Sequence, residues 1–235
     1  MDPGLPPPTP PDDVRPALLR QTWRDVAFLH WPLDPAVAAR LLPPGTRPDV
    51  LADVTYAGVV SLRITRTAPG AGPALQLAGS FAEVNVRLYA VDGRGRRGVV
   101  FLRMDAERLL PVLAARALTR LPYVWSHTRV QRDGDLYVVV AGRHLRIVLR
   151  VGAPLPAGPL ERFVTNRWGL HTQVAGRTVH LPVAHPPWPL RTAELVDLAG
   201  DPLAAAGMPA APGPPVSVLF SPGVDDVRLG LPRRV

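Results

Sequence analysis

Phe81-Ala82-Glu83-Val84-Asn85-Val86-Arg87-Leu88-Tyr89 alternates without a break. Successive side chains of a strand point to opposite faces. One face of this stretch therefore carries Ala82, Val84, Val86 and Leu88, and the other Phe81, Glu83, Asn85, Arg87 and Tyr89. The aliphatic face requires an apolar neighbour. The other sets an acid, an amide and a guanidinium in one row between two rings. Two environments suit such a row, a solvated outer face or the inner wall of a sheet that closes on a ligand. The rings at both ends favour the second, because a solvated face seldom alternates large rings with charge.

Asp92–Arg96 follows as a Gly-rich turn and Gly98–Met104 as the returning strand, so an antiparallel hairpin is expected. Its closure would bring Arg103 beside Asn85, with Asp105 next along. A row of Glu, Asn and two Arg suits a ligand with a carboxylate or carbonyl, since a guanidinium grips a carboxylate through two N–H groups.

Further strands are expected at 26–31, stopped by Pro32, then at 54–66, 123–131, 136–141 and 145–151. Others are a hairpin turning at Ala175-Gly176, the stretch after Trp188 to 198, and two tail strands at 216–220 and 227–231. Helices are expected at 36–42, capped by Asp34 with Pro35 in its first turn, and at 106–118, 160–166 and 202–206. Many short strands with short turns and few helices predict an α+β, mostly β fold built on an antiparallel, closed or nearly closed sheet. Residues 1–17 are proline-rich and are expected to be a disordered tail, with 18–235 a single domain.

Composition excludes several chemistries. All 27 basic residues are arginine, and cysteine is absent, which removes disulfides, zinc–thiolate sites and thiol nucleophiles together. The six histidines have no compact metal spacing, so neither metal nor cofactor is expected. A net charge of +8 invites a nucleic-acid reading, yet the arginines are scattered; the tightest group is Arg94, Arg96 and Arg97. Aromatic residues make up only 6% of the chain, too few for a stacking platform. No run is apolar enough to cross a bilayer and the first residues do not form a signal peptide, so a cytoplasmic protein without membrane contact is the expectation.

Several segments in order and spacing resemble one family. They are Gln21-Thr22-Trp23, Phe28-Leu29-His30-Trp31-Pro32, Leu42-Pro43-Pro44-Gly45 and the Phe81–Tyr89 alternation, then Gly98-Val99 with Met104-Asp105-Ala106. Ala115-Arg116 with Leu121-Pro122-Tyr123, and His185-x-Pro187-Trp188-Pro189-Leu190, complete the set. The pattern resembles the YqjF-like uncharacterised bacterial proteins, a domain-of-unknown-function family, over about residues 20–230. That family is in turn similar to acetoacetate decarboxylase, which implies a conical antiparallel β-barrel with flanking helices and a buried cavity.

Acetoacetate decarboxylases carry Gly-Arg-Glu-x-x-Gly-x-Pro-Lys-Lys, and the matching stretch here keeps Arg116 and Pro122 but places Tyr123 and Val124 at the two lysines. Without an amine no Schiff base forms on a side chain, and that route to decarboxylation is excluded. The resemblance puts Glu83 at the place of a pocket carboxylate. Glu83 as base and Tyr123 as hydrogen-bond donor are the candidate catalytic pair. Asn85, Arg87, Arg103, Arg116, Trp31 and Trp188 are the candidate ligand contacts. The expected ligand is a small organic acid or carbonyl compound, met by a lysine-independent lyase or hydratase. The alternatives are a ligand-binding or structural module without chemistry, in which Glu83 pairs with Arg87 or Arg103 and the tryptophans pack, and arginine-driven binding to an anionic partner.

Overall fold

The computed structural model describes residues 5–11, 14–75, 80–107 and 121–235. In chain order the elements are β1 (Leu19–Leu33), α1 (Pro35–Ala39), β2 (Thr46–Pro48), β3 (Thr55–Pro69), β4 (Phe81–Asp92) and β5 (Arg97–Ala106). Then come β6 (Tyr123–Trp125), β7 (Thr128–Asp133), β8 (Leu136–Ala141), β9 (Leu145–Pro154), α2 (Pro159–Thr165), β10 (Gly169–Val174) and β11 (Arg177–Ala184). The chain ends with β12 (Arg191–Ala199), α3 (Pro202–Ala205), β13 (Ser217–Leu229) and β14 (Arg233–Arg234). The mostly β expectation with short helices holds.

Hydrogen bonding runs β14-β11-β10-β5-β4-β3-β1-β13-β12-β9-β8-β7, and β11 also pairs with β13. The second pairing closes a circuit through β11, β10, β5, β4, β3, β1 and β13, from which β12, β9, β8 and β7 extend as an arm. The wholly antiparallel expectation needs correction at β5, which pairs in parallel with both β10 and β6. Parallel neighbours need long connections, and the 107–122 segment between β5 and β6 is long enough to supply one.

The central strands separate two apolar cores. Across β1, β3 and β4 the register sets Trp31, Ala57 and Leu88 on one face, and Phe28, Val60 and Asn85 on the other. The first face packs on Tyr137, Ile147, Leu149 and Phe220. The second meets Val99, Phe163, Leu170 and Leu219. Tyr137 ties the arm to the circuit, its hydroxyl donating 2.8 Å to the Asp25 carbonyl at a left-handed residue of β1 (φ 49°). Among the described residues no helix is long and apolar enough to cross a membrane.

Several local expectations change for physical reasons. Pro32 does not stop β1. Beyond His30 the strand has lost β13 and pairs only with β3, so a missing N–H is tolerated there. The two expected tail strands are one strand, β13, which bends at Gly223 (φ +117°). A Cβ at Gly223 would fall 2.1 Å from the Trp23 carbonyl oxygen, so only glycine lets β13 pass β1 there. Asp34 does cap α1, accepting from Ala36 N at 2.7 Å. The expected 106–118 helix lies, beyond Glu107, outside the described residues.

The proline-rich tail expected to be disordered is docked where it is described. The Pro7 carbonyl accepts from Trp168 Nε1 at 2.9 Å and Asn166 Nδ2 at 3.3 Å, and Val14 is buried. Packing Leu5 against the second core and burying Val14 holds a segment that composition alone would release.

Candidate functional site

β4 sits between β3 and β5 in full pairing. Glu83 is opposite Leu62 and Ala106, Asn85 opposite Val60 and Met104, and Arg87 opposite Gly58 and Phe101. Each polar side chain of the row thus has apolar or absent side chains beside it. Glu83 is 4% exposed and Asn85 1%, while Arg87 and Tyr123 retain partial exposure. The row faces inward, onto the second core.

A chain of hydrogen bonds links these groups. Tyr123 Oη donates to Glu83 Oε2 at 2.9 Å, and Asn85 Nδ2 donates to Glu83 Oε1 at 3.1 Å. Asn85 Oδ1 accepts from Arg87 Nε at 2.8 Å. Glu83 pairs with neither Arg87 nor Arg103. Burial pushes its carboxyl above the usual range, against the opposing pull of Asn85, Tyr123 and Arg87. Burial, with the Glu83 charge adding to it, pushes the Tyr123 phenol well up as well. Tyr123 is delivered by β6, which lies parallel along β5 with Tyr123 opposite Met104.

Arg87 is held through Nε alone. Its guanidinium lies 5.3 Å from the Phe101 ring centre, and its terminal nitrogens bond nothing among the described residues and are not sealed in. Burial lowers its pKa, with the nearby Arg167 charge acting in the same direction. Gly58 makes room for it: a Cβ there would come 2.8 Å from Tyr89 Oη and 3.2 Å from both Arg87 Cγ and His30 Cδ2.

Behind Arg87 lies a second polar group. Tyr89 Oη donates to the Val164 carbonyl at 3.2 Å and meets His30 Nε2 at 2.7 Å. The phenol's one proton is used, so His30 donates from Nε2 and its buried Nδ1 is left bare. Burial, then Arg87 and Arg167, pull the His30 pKa down to about 3, so the ring is neutral. Burial raises Tyr89 to about 12. Arg167 lies 4.5 and 4.3 Å from the Tyr89 and Phe163 ring centres and pairs with the buried Asp49 carboxylate, while its Nη2 is buried without a partner among the described residues. An aromatic roof follows: Trp188 packs edge-on to Phe28 at 5.3 Å and stacks on Trp23 at 6.0 Å. His185 lies 4.7 Å from both Trp188 and Trp168.

Of the expected site residues, Glu83, Asn85, Arg87 and Tyr123 come together, and Trp188 roofs the same face. Arg103 does not join them. A bulge at Val86/Arg87 leaves Leu102 as an extra residue on β5, so Arg103 faces Val86 rather than Asn85. It bonds Asp105 through two nitrogens at 2.7 and 2.8 Å on the opposite face. Trp31 is likewise turned away, buried in the first core with Nε1 donating to the Gly213 carbonyl at 2.8 Å. Arg116 lies outside the described residues. Sequence reasoning missed His30, which shares a face with Phe28 by period two, and Arg167, which no pattern signals.

Among the described residues no group of three or more His, Asp or Glu side chains is arranged to hold a metal. Clefts of about 370 Å³ at Arg63, Phe81 and Arg129 and about 290 Å³ at His127, Val138 and Val140 are present, and neither is lined by Glu83, Asn85 or Arg87.

Residues 20–225 match the model of DUF2071, described as an uncharacterized conserved protein. The chain belongs to the DUF2071 family. It is 30% identical over 186 residues to the uncharacterized protein YqjF of Bacillus subtilis (strain 168), spanning 75% of this chain and 76% of that protein. Among solved structures it is similar to an acetoacetate decarboxylase-like enzyme from Sphingomonas wittichii RW1, with a TM-score of 0.67 at 15% identity over 96% of each chain. It is also similar to the enduracididine biosynthesis enzyme MppR complexed with pyruvate, with a TM-score of 0.59 at 15% identity over 96% of this chain and 91% of that one. This DUF2071 chain therefore has an acetoacetate decarboxylase-like fold, and it carries that fold without a lysine.

Proposed function

We propose that this protein binds a small organic acid or carbonyl compound against the Glu83–Asn85–Arg87 row, inside a single β-barrel domain whose wall is the closed strand circuit. One observation carries the reading. Arg87 is a half-buried guanidinium held by an amide instead of a carboxylate, with its terminal nitrogens open. A buried charge without a counter-ion is costly, and an incoming carboxylate removes that cost with two charge-assisted hydrogen bonds. The neighbouring fold in MppR is complexed with pyruvate, which supports a ligand of this class.

The chemistry that suits the row is proton transfer next to a carbonyl. Glu83, desolvated and biased toward its neutral form, is the group that gives a proton to the ligand or takes one from it, and Tyr123, whose single proton is donated to Glu83, holds that carboxyl in place. Enolisation, hydration or dehydration of an oxo acid fits these groups, and no step requires an imine on lysine. A second reading, a ligand-binding module without turnover, is favoured by the completeness of the Tyr123–Glu83–Asn85 hydrogen bonds in the free protein.

A thermal-shift screen of small oxo and hydroxy acids tests the site. A compound that raises the melting temperature of wild type and leaves Arg87→Ala unmoved is the expected result; equal shifts in both proteins reject Arg87 as the seat. With that compound, Glu83→Gln separates the two readings: it abolishes turnover in an enzyme and leaves a module's binding largely in place.

A further inference from the structure

We propose that an anion docking on Arg87 brings a proton with it, and that the proton goes to Glu83 because the Asn85 amide joins the two. The inference rests on the Arg87 reading above and adds a stoichiometry to it.

The geometry is directional. Arg87 Nε donates to Asn85 Oδ1, and Asn85 Nδ2 donates to Glu83 Oε1. An amide polarised at its oxygen by a cation is a better donor at its nitrogen, so the Arg87 charge strengthens the bond that favours ionised Glu83. When a carboxylate neutralises Arg87, both the direct field and this relayed bond weaken at Glu83. The row then holds a second negative charge in a poorly solvated place. Glu83 is the group best suited to take up a proton, since burial already biases it toward the neutral acid.

The surrounding groups do not compete for that proton. On β4 the charged or titratable neighbours are Arg87 and Tyr89, and β6 contributes Tyr123, a phenol pushed well up. Arg167, beyond α2, is committed to Asp49. His30 on β1, at about 3, and His185 before β12, at about 4, are both lowered chiefly by burial and stay neutral. β3 and β5 offer only Leu62 and Ala106 opposite Glu83. The balance is simple: one solvent proton adds to one carboxylate oxygen, and the neutral acid then donates to whatever oxygen of the ligand lies above it. Asn85 is a positioning residue here.

The test is calorimetric titration of pyruvate into wild type at neutral pH, in buffers of different ionisation enthalpy. The expected result is a buffer-dependent heat equal to uptake of up to about one proton per pyruvate, falling off at acid pH where free Glu83 is already protonated. Glu83→Gln should bind with no uptake, and Asn85→Ala with reduced uptake. Binding by wild type without buffer dependence overturns the coupling and leaves the Arg87 site standing. Should pyruvate fail to bind, that failure belongs to the site reading, and the coupling is decided without ligand. Carboxyl ¹³C titration of Glu83 should show its midpoint rising by about one pH unit or more in Arg87→Met. An unmoved midpoint overturns the proposal.

Discussion

Arg87 and Arg167 press on the same buried Tyr89 neighbourhood with opposite partners. Arg167 has its charge compensated: the Asp49 carboxylate meets one terminal nitrogen, the Phe163 carbonyl lies 2.6 Å from Nε, and two rings lie within 4.5 Å, although its other terminal nitrogen is buried without a partner among the described residues. Arg97 adds a second charge 3.7 Å from the other Asp49 oxygen. Arg87 has an amide, one ring and open nitrogens. Hydrogen bonding alone does not neutralise a charge, so the first arginine belongs to the architecture and the second is the one proposed to take an anion.

That contrast can be attacked from both sides. The largest effect is expected at Asp49→Asn, which leaves Arg167 buried and uncompensated at a cost of about 3–5 kcal/mol in chemical denaturation. A loss below about 1 kcal/mol would mean that Arg167 is no more committed than a surface pair. Arg103→Met comes next. It strips two bonds from the buried Asp105 and should cost about 1–3 kcal/mol while leaving the organic-acid thermal shift intact. A lost shift would return Arg103 to the site.

Asn85→Asp turns Arg87 into a second Arg167 by supplying a carboxylate at hydrogen-bond distance. The fold should persist, and affinity for an organic acid should fall about tenfold or more, as read by calorimetry. Unchanged affinity would break the comparison outright.

The smallest effect concerns pH. The Glu83 carboxyl is raised in the folded protein, so the stability attached to it is present while it is protonated and is lost as pH rises through the folded value. Glu83→Gln has no such loss. It should be more stable than wild type at neutral pH, with the difference vanishing below the ordinary carboxylate range. A constant difference across pH would show that the Glu83 charge is not the cause.

Much of this was legible in the chain. Strict alternation marked β4 and its two faces, because period two has few other causes, but it left open which face turns inward. Asp34, Pro35 and the Gly-rich 92–96 turn marked their elements through backbone chemistry alone. Side-chain partners across strands were less accessible. Trp31 and Trp188 look alike in sequence, and only the register of β1 against β3 separates a core ring from a roof ring. Arg167 follows a short helix and is drawn inward by an Asp49 that lies 118 residues away, a relation no local pattern encodes. The tail was misread because composition reports what a segment can bury by itself and not what it can lean on.

The bulge opposite Leu102 acts on β5 as a frameshift acts on a coding strand. Up to Phe101 the strand is in phase with the row, and after it the phase is reversed until the strand ends. Arg103 and Asp105, which uninterrupted pairing would set beside Asn85 and Glu83, satisfy one another on the far side. Their absence keeps a second guanidinium and a second carboxylate off the row. Deleting one residue at Leu102, more than exchanging any side chain, is therefore the edit that would recharge the face proposed to hold the ligand.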